Sequence, residues 1–248
     1  NQDHEKWELI IVNDGSTDNT KSIINSYTDS RIKTISKKHE GVSKSRNLAL
    51  NIMKGDWFCF LDADDIFTKS SLSSRLKITL VEKDISFVDG SVLIENYKTR
   101  KKVKEYIPKF KGFPLYELCK LSEECFVGNT WLIKRDSKIN YRFIEEMTHS
   151  EDICFYLSIA ENKIYSYTRN RILIYRKRND SAMTNYQSLE EGYYKLYKYI
   201  NNTFKITNSI KFFLRIKIAK IMFLTYIFNE KSVKNALKSL QRNFLMTS

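Results

Sequence analysis

Residues 58–65 read FCFLDADD, and few arrangements of a chain can accommodate them. The apolar run Phe58, Cys59, Phe60 and Leu61 is too short for a helix and rich in aromatics, which predicts a buried strand. It stops where Asp62, Asp64 and Asp65 crowd together. Carboxylates that close repel one another and are costly to desolvate, so they belong at a solvated loop or around a hard divalent cation with oxygen ligands. An isolated D-x-D is more often a solvated turn ahead of a helix. The rest of the chain decides between the two.

A second run of the same kind lies upstream. Leu9, Ile10, Ile11 and Val12 end in Asn13, Asp14, Gly15, Ser16, Thr17 and Asp18, and helix-type spacing resumes at Ile23, Ile24 and Tyr27. Between the two strands, GVSKSRN (Gly41 to Asn47) opens a helix with apolar Leu48, Ile52 and Met53. The order strand, helix, strand, helix, strand predicts an α/β fold with a mostly parallel, Rossmann-like sheet flanked by helices, its ligand groups at the carboxyl ends of the strands. Further strands are expected at Ile85 to Val88, Val92 to Ile94, Thr130 to Ile133 and Ile172 to Tyr175. Ser70 and Ser71 are expected to cap a helix carrying Leu72, Leu76 and Leu80, and Ser150 another carrying Ile153, Phe155, Tyr156 and Ile159.

The 248 residues, 42% hydrophobic, suit one large domain or a domain with an appendage. Cys59, Cys119, Cys125 and Cys154 form no CxxC pair, and histidine occurs only at 4, 39 and 149, which excludes zinc-type clustering. Reduced thiols and the absence of an apolar leader in NQDHEKW predict a cytoplasmic protein. The net charge of +13 is uneven: from Lys195 onward eleven basic residues face the single acid Glu230, giving +10. A basic tail on a near-neutral domain points to an anionic partner, either a membrane or a nucleic acid.

Taken together, WELIIVNDGSTDNT, HEGVSKSRN, GDWFCFLDADD and SEDICFYL, in this order, resemble the motifs of family 2 inverting glycosyltransferases with the GT-A fold. The resemblance covers roughly residues 7 to 181. It implies a nucleotide-sugar donor, usually a UDP-sugar, a divalent metal (Mn²⁺ or Mg²⁺), and transfer with inversion. Family members usually begin with a strand and turn of the type VIIPVYN, and the sequence is expected to lack that element. Residue by residue, Asp14 matches the aspartate that contacts the nucleobase; the bland alternative is an Asx turn closing the strand. Arg46 matches an arginine that holds nucleotide or diphosphate, against a plain surface-helix arginine. His39 stands where an asparagine is usual. Asp62 matches the acid near ribose and metal, Asp64 the metal ligand, and Asp65 is left to open the following turn.

The same resemblance assigns Asp152 as general base, removing the acceptor hydroxyl proton in a single displacement that needs no enzyme nucleophile. Its alternative is a first-turn acid complementing the helix dipole. In RKRNDS, Arg178 stands where a histidine is common; an arginine cannot ligate a metal but can pair with a phosphate, so a role at the leaving group is expected, with Ser181 closing the motif. Asn129, Trp131 and Tyr141 are candidate acceptor-lining residues, each more simply read as core or rim. The expected division is a GT-A domain over 1–186 and a basic helical extension over 187–248.

In that extension Val233, Leu237, Leu240 and Phe244 form one stripe, with Lys231, Lys234, Lys238 and Arg242 opposite. Such a helix can lie on an anionic bilayer, where lipid-linked acceptors reside, or pack ordinarily with a solvated basic face. The acceptor implied is a hydroxyl of a glycan or lipid-linked molecule of bacterial surface-polysaccharide synthesis, reached from the cytoplasmic face of the membrane. Two other readings compete: a nucleotidyltransferase, which also places acids at strand ends, and a non-enzymatic basic module binding membrane or nucleic acid. Nucleic acid is disfavoured, because the tail has no aromatic-interleaved basic motif.

Overall fold

The structure, a computed structural model, describes residues 1–178 and 185–245, with side chains as far as Asn243. Ser181 therefore lies outside the described residues, as does the side chain of Phe244. Strand β1 (Leu9–Asp14) pairs in parallel with β2 (Ile32–Lys37), from Leu9 opposite Ile32 to Asp14 opposite Lys37. Helix α1 (Thr20–Asn25) joins them and α2 (Val42–Ile52) follows. The expected alternation is present here, and α2 starts directly after Gly41, whose φ of 99° suits glycine.

The second sheet is where the parallel expectation gives way to a mixed one. Its order is β3 (Trp57–Phe58), β7 (Leu132–Lys134), β5 (Ile85–Asn96), β8 (Ile164–Lys177), β4 (Ile66–Phe67), with β6 (Lys102–Tyr106) also on β5. Only β5 and β8 pair in parallel; every other pairing in this sheet is antiparallel. Of these, β3, β4 and β7 reach their partners over long connections, whereas β5 and β6 are joined by a short turn, and hairpin-joined strands can pair only antiparallel. The β5–β6 hairpin shows it: Asn96 Oδ1 accepts from the amides of Lys98 and Thr99, closing the turn.

The organising stretch is also less of a strand than its composition predicts. Ladder pairing ends at Phe58, and Leu61 is 42% exposed. Among the described strands β3 pairs only with β7, so Cys59 to Leu61 have no ladder to join. Aromatic packing holds the segment instead: Phe58 meets Tyr141 edge-on at 4.9 Å, and Phe60 meets Phe143 at 5.2 Å and Phe155 at 5.5 Å. In α3 (Ser71–Val81), Ser70 takes the N-cap position without a side-chain cap bond, while Ser71 Oγ accepts from the buried Arg75 at 2.9 Å. Leu80 projects into solvent.

Three C-terminal helices complete the fold: α6 (Tyr186–Thr203), α7 (Asn208–Phe228) and α8 (Val233–Leu245). Their Leu189, Leu196, Ile200, Leu214, Ile218 and Met222 share one hydrophobic core with Phe87, Trp131, Phe143, Phe155 and Tyr165. Helix α6 presses on the loop ahead of α5 (Glu151–Ile159), where a Cβ at Gly192 would sit 2.5 Å from the Cβ of His149. The apolar stripe of α8 is not its inward face: Val233 and Leu237 are exposed, and Ala236, Ser239 and Asn243 are buried. Small side chains allow α8 to lie close against α7, which turns the larger apolar residues outward.

Candidate active site

Asp14, at the end of β1, is gripped by the loop that precedes α2. Its carboxylate pairs with Lys37, accepts from the amides of Glu40 (3.0 Å) and Gly41 (2.9 Å), and lies 3.0 Å from His39 Nδ1. Burial disfavours its charge, but Lys37 and the two amides outweigh burial and hold the carboxyl at about 2. The turn after β1 is closed by the neighbouring Asn13, whose Oδ1 accepts from the Ser16 amide at 3.0 Å. Asp14 thus fixes the 39–41 loop at the carboxyl end of the strand.

Arg46 joins the motifs that the sequence keeps apart. From α2 its Nη2 donates to Asp62 Oδ1 at 2.8 Å and its Nη1 to Glu151 Oε1 at 3.2 Å. Its side chain is only 11% exposed and lies over Phe143 at 5.2 Å. Burial works against the charge, yet Asp62, Glu151 and Asp152 together raise the guanidinium's pKa. It is therefore no surface-helix arginine. Asp152 sits in the first turn of α5, its Oδ1 accepting from the Ile153 amide at 2.7 Å. Desolvation, then the charge of Glu151, push its carboxyl above 3.8, while Ile153 N–H and Arg46 partly counter them. A carboxyl so raised is a better proton acceptor at neutral pH than an ordinary aspartate. Ser150 precedes it with φ 63° and makes no side-chain cap bond, contrary to its expected role.

The acidic loop is tied to the end of β8. The Arg176 amide donates to Asp65 Oδ1 at 3.0 Å, and Arg176 Nε donates to the Asp64 carbonyl. Asp65 is therefore an anchor to β8; burial, with Asp64 and Asp62 adding to it, raises its carboxyl to about 6. The guanidinium groups of Arg176 and Arg178 lie 5.2 and 5.0 Å from the ring centroid of Tyr97. The exposed Arg178 is thereby carried on the strand end that holds the acidic loop. Tyr97 escapes sequence reasoning, as do the pairing of Glu151 with Arg46 and of Arg176 with the acidic loop, since each joins residues distant in the chain.

Of the acceptor-side candidates, Trp131 is fully buried, with Nε1 donating to the Cys125 carbonyl, and Tyr141 is buried, bonded to Lys134 and Asp136 backbone. Both are core. Asn129 retains a buried, unpartnered Oδ1. Among the described residues no three His, Cys, Asp or Glu side chains gather to hold a cation by themselves. Asp62, 44% exposed, and Asp64 supply two carboxylates on one loop. That donor set fits a Mg²⁺ or Mn²⁺ ion that draws its remaining ligands from phosphate oxygens and water.

Comparison with known proteins bears on the family and the fold. The chain is 30% identical over 162 residues to the UDP-Glc:alpha-D-GlcNAc-diphosphoundecaprenol beta-1,3-glucosyltransferase WfgD of Escherichia coli, covering 65% of this chain and 61% of that protein. To an uncharacterized glycosyltransferase of Rickettsia bellii it is 27% identical over 209 residues, covering 82% of this chain but 29% of the other. The chain thus spans less than two thirds of the length of these relatives. Its fold resembles that of Staphylococcus aureus TarS in complex with UDP-GlcNAc (TM-score 0.65, 18% identity, 100% of this chain and 75% of the other). It also resembles the mannosyltransferase PcManGT of Pyrobaculum calidifontis in complex with GDP-Man and Mn²⁺ (TM-score 0.61, 15% identity, 100% and 69%). The family model for glycosyl transferase family 2 matches residues 1–141, more than half of the chain, and the protein belongs to that family of enzymes, with the GT-A fold.

Proposed function

We propose that the chain is a metal-dependent inverting glycosyltransferase, moving a sugar from a UDP-sugar to a hydroxyl of a glycan or lipid-linked acceptor in surface-polysaccharide synthesis. The observation that carries this reading is the double ion pair of Arg46, which sets the acidic loop beside Asp152. Residues 1–186 form the transferase domain in this reading, and 187–248 an extension. Asp14 meets the nucleobase from the loop it anchors, and Arg46 and Asp62 face the nucleotide and ribose. Asp62 and Asp64 would hold the divalent ion, which supplies charge neutralisation to the departing diphosphate. Arg178 pairs with a phosphate. Asp152 takes the acceptor proton as that hydroxyl attacks the anomeric carbon from the face opposite the diphosphate, which gives inversion. The diphosphoundecaprenol acceptor in WfgD's name supports a lipid-linked acceptor.

The test is transfer or donor hydrolysis across a panel of nucleotide-sugars, with Asp152→Asn as the diagnostic variant. Asparagine keeps shape and hydrogen bonding but loses the base, so turnover should fall by roughly 10² or more with donor affinity nearly unchanged. Equal loss of both would make Asp152 structural. Asp64→Ala should abolish Mn²⁺-dependent UDP binding in titration calorimetry with the fold intact; unchanged metal-dependent affinity would remove it from the donor site.

A further inference from the structure

The outer side of α7 is not built like a solvated helix face. Phe212 and Phe213 are each 60% exposed, Ile216 45%, Leu224 40% and Phe228 71%, while Leu214, Ile218, Ala219, Met222 and Tyr226 are buried on the other side. At about 100° per residue, the five exposed apolar residues fall with Lys217 and Lys220 in one sector of about 160°. Helix α8 repeats the pattern, with exposed Val233 and Leu237 next to exposed Lys234 and Lys238. Scattered surface apolar residues need no explanation, but seven on two packed helices do.

The charge identifies the occupant. From Lys211 onward the chain carries eight basic residues against the single acid Glu230, so whatever covers the face is anionic. Lysine is depleted at protein–protein interfaces, whereas aromatic and aliphatic side chains interleaved with lysines suit the boundary between acyl chains and anionic headgroups. Among the described residues no helix is long and apolar enough to cross a membrane. We infer that the outer face of α7, with Val233 and Leu237 of α8, docks on an anionic lipid bilayer, lying in the headgroup plane. The lysine stems cover apolar surface while their ammonium groups reach phosphate. The surface deepens the membrane-side acceptor reading and rests on it for its purpose, whereas its physics stands apart from transfer chemistry.

The test is co-sedimentation of the full chain, without donor or acceptor, with vesicles of phosphatidylcholine alone or equimolar with phosphatidylglycerol. Binding to the mixed vesicles should exceed that to neutral ones by about tenfold or more and weaken with salt. The double changes Phe212→Ser with Phe213→Ser, and Lys217→Glu with Lys220→Glu, should each lower it by about tenfold or more, with helical circular dichroism unchanged. Lys98→Glu with Lys101→Glu, on the β5–β6 turn, should bind as the unaltered chain does. Equal binding to both vesicle types, or none to either, overturns the inference. So does a concentration-dependent dimer that the phenylalanine changes abolish, which would assign the face to a second copy. Loss of donor hydrolysis with vesicle binding intact would instead count against the transfer reading alone.

Discussion

Arg46 carries a burden disproportionate to one side chain. Removing it leaves Asp62, Glu151 and Asp152 without their shared cation in a partly dry site, so Arg46→Ala should lower stability by about 3 kcal/mol in denaturant titration. Arg46→Lys should recover little, because one ammonium lacks the planar fork that reaches Asp62 and Glu151 together. The pH profile is a second handle. As the proposed base Asp152 would work deprotonated, and its carboxyl is raised, so activity should fall with acid along a limb lying above 3.8, and Glu151→Gln should move that limb downward by removing the adjacent charge. Asp14 has the opposite sign: its depressed carboxyl contributes stability in full above 3.8, lost as pH falls through about 2. The sequence singles out Asp14, Arg46, Asp62, Asp64 and Asp152 as candidates because each stands in a local motif. Glu151 as partner of Arg46 was not, since 105 positions separate them and only folding joins them.

Elements read less faithfully than residues, for a physical reason. An apolar run announces burial, and β3 shows that burial and ladder pairing are separable: Phe60 is held by Phe143 and Phe155 without a strand partner. Helix α8 shows the converse. Its stripe was legible at the right spacing, but which side faces the core is settled by how closely α7 can approach, and Ala236 and Ser239 allow the closer contact. Gly192 offers a test at this scale. Gly192→Val would set a side chain against His149 Cβ, shifting α6 or the loop leading to Asp152. Turnover should fall more than donor affinity, compared by steady-state kinetics and calorimetry; a variant that loses donor affinity alone would show that the contact does not position α5.

At the scale of the whole molecule, α6, α7 and α8 share a core with the catalytic sheet, so the extension is not detachable. A chain ending before Tyr186 would expose the faces covered by Leu189, Leu196 and Ile200, and should lose cooperative thermal unfolding. The two sheets differ in depth. The β5–β8 ladder pairs Ile85 with Ile164 and reaches Asn96 opposite Lys177 through a largely buried strand. Among the described residues the β1–β2 pair joins no further strand, and Asn13 is the buried residue of β1. Amide protons should therefore exchange in two tiers, those of β1 and β2 through small local openings and those of β5 near the global unfolding limit. Because the proposed nucleobase contact sits on the looser tier and the proposed base on α5, whose Ile153, Phe155 and Tyr156 belong to the main core, a bound nucleotide should slow exchange in β1 and β2 while leaving β5 unchanged. The donor would then complete the rigidity of the half of the protein that receives it.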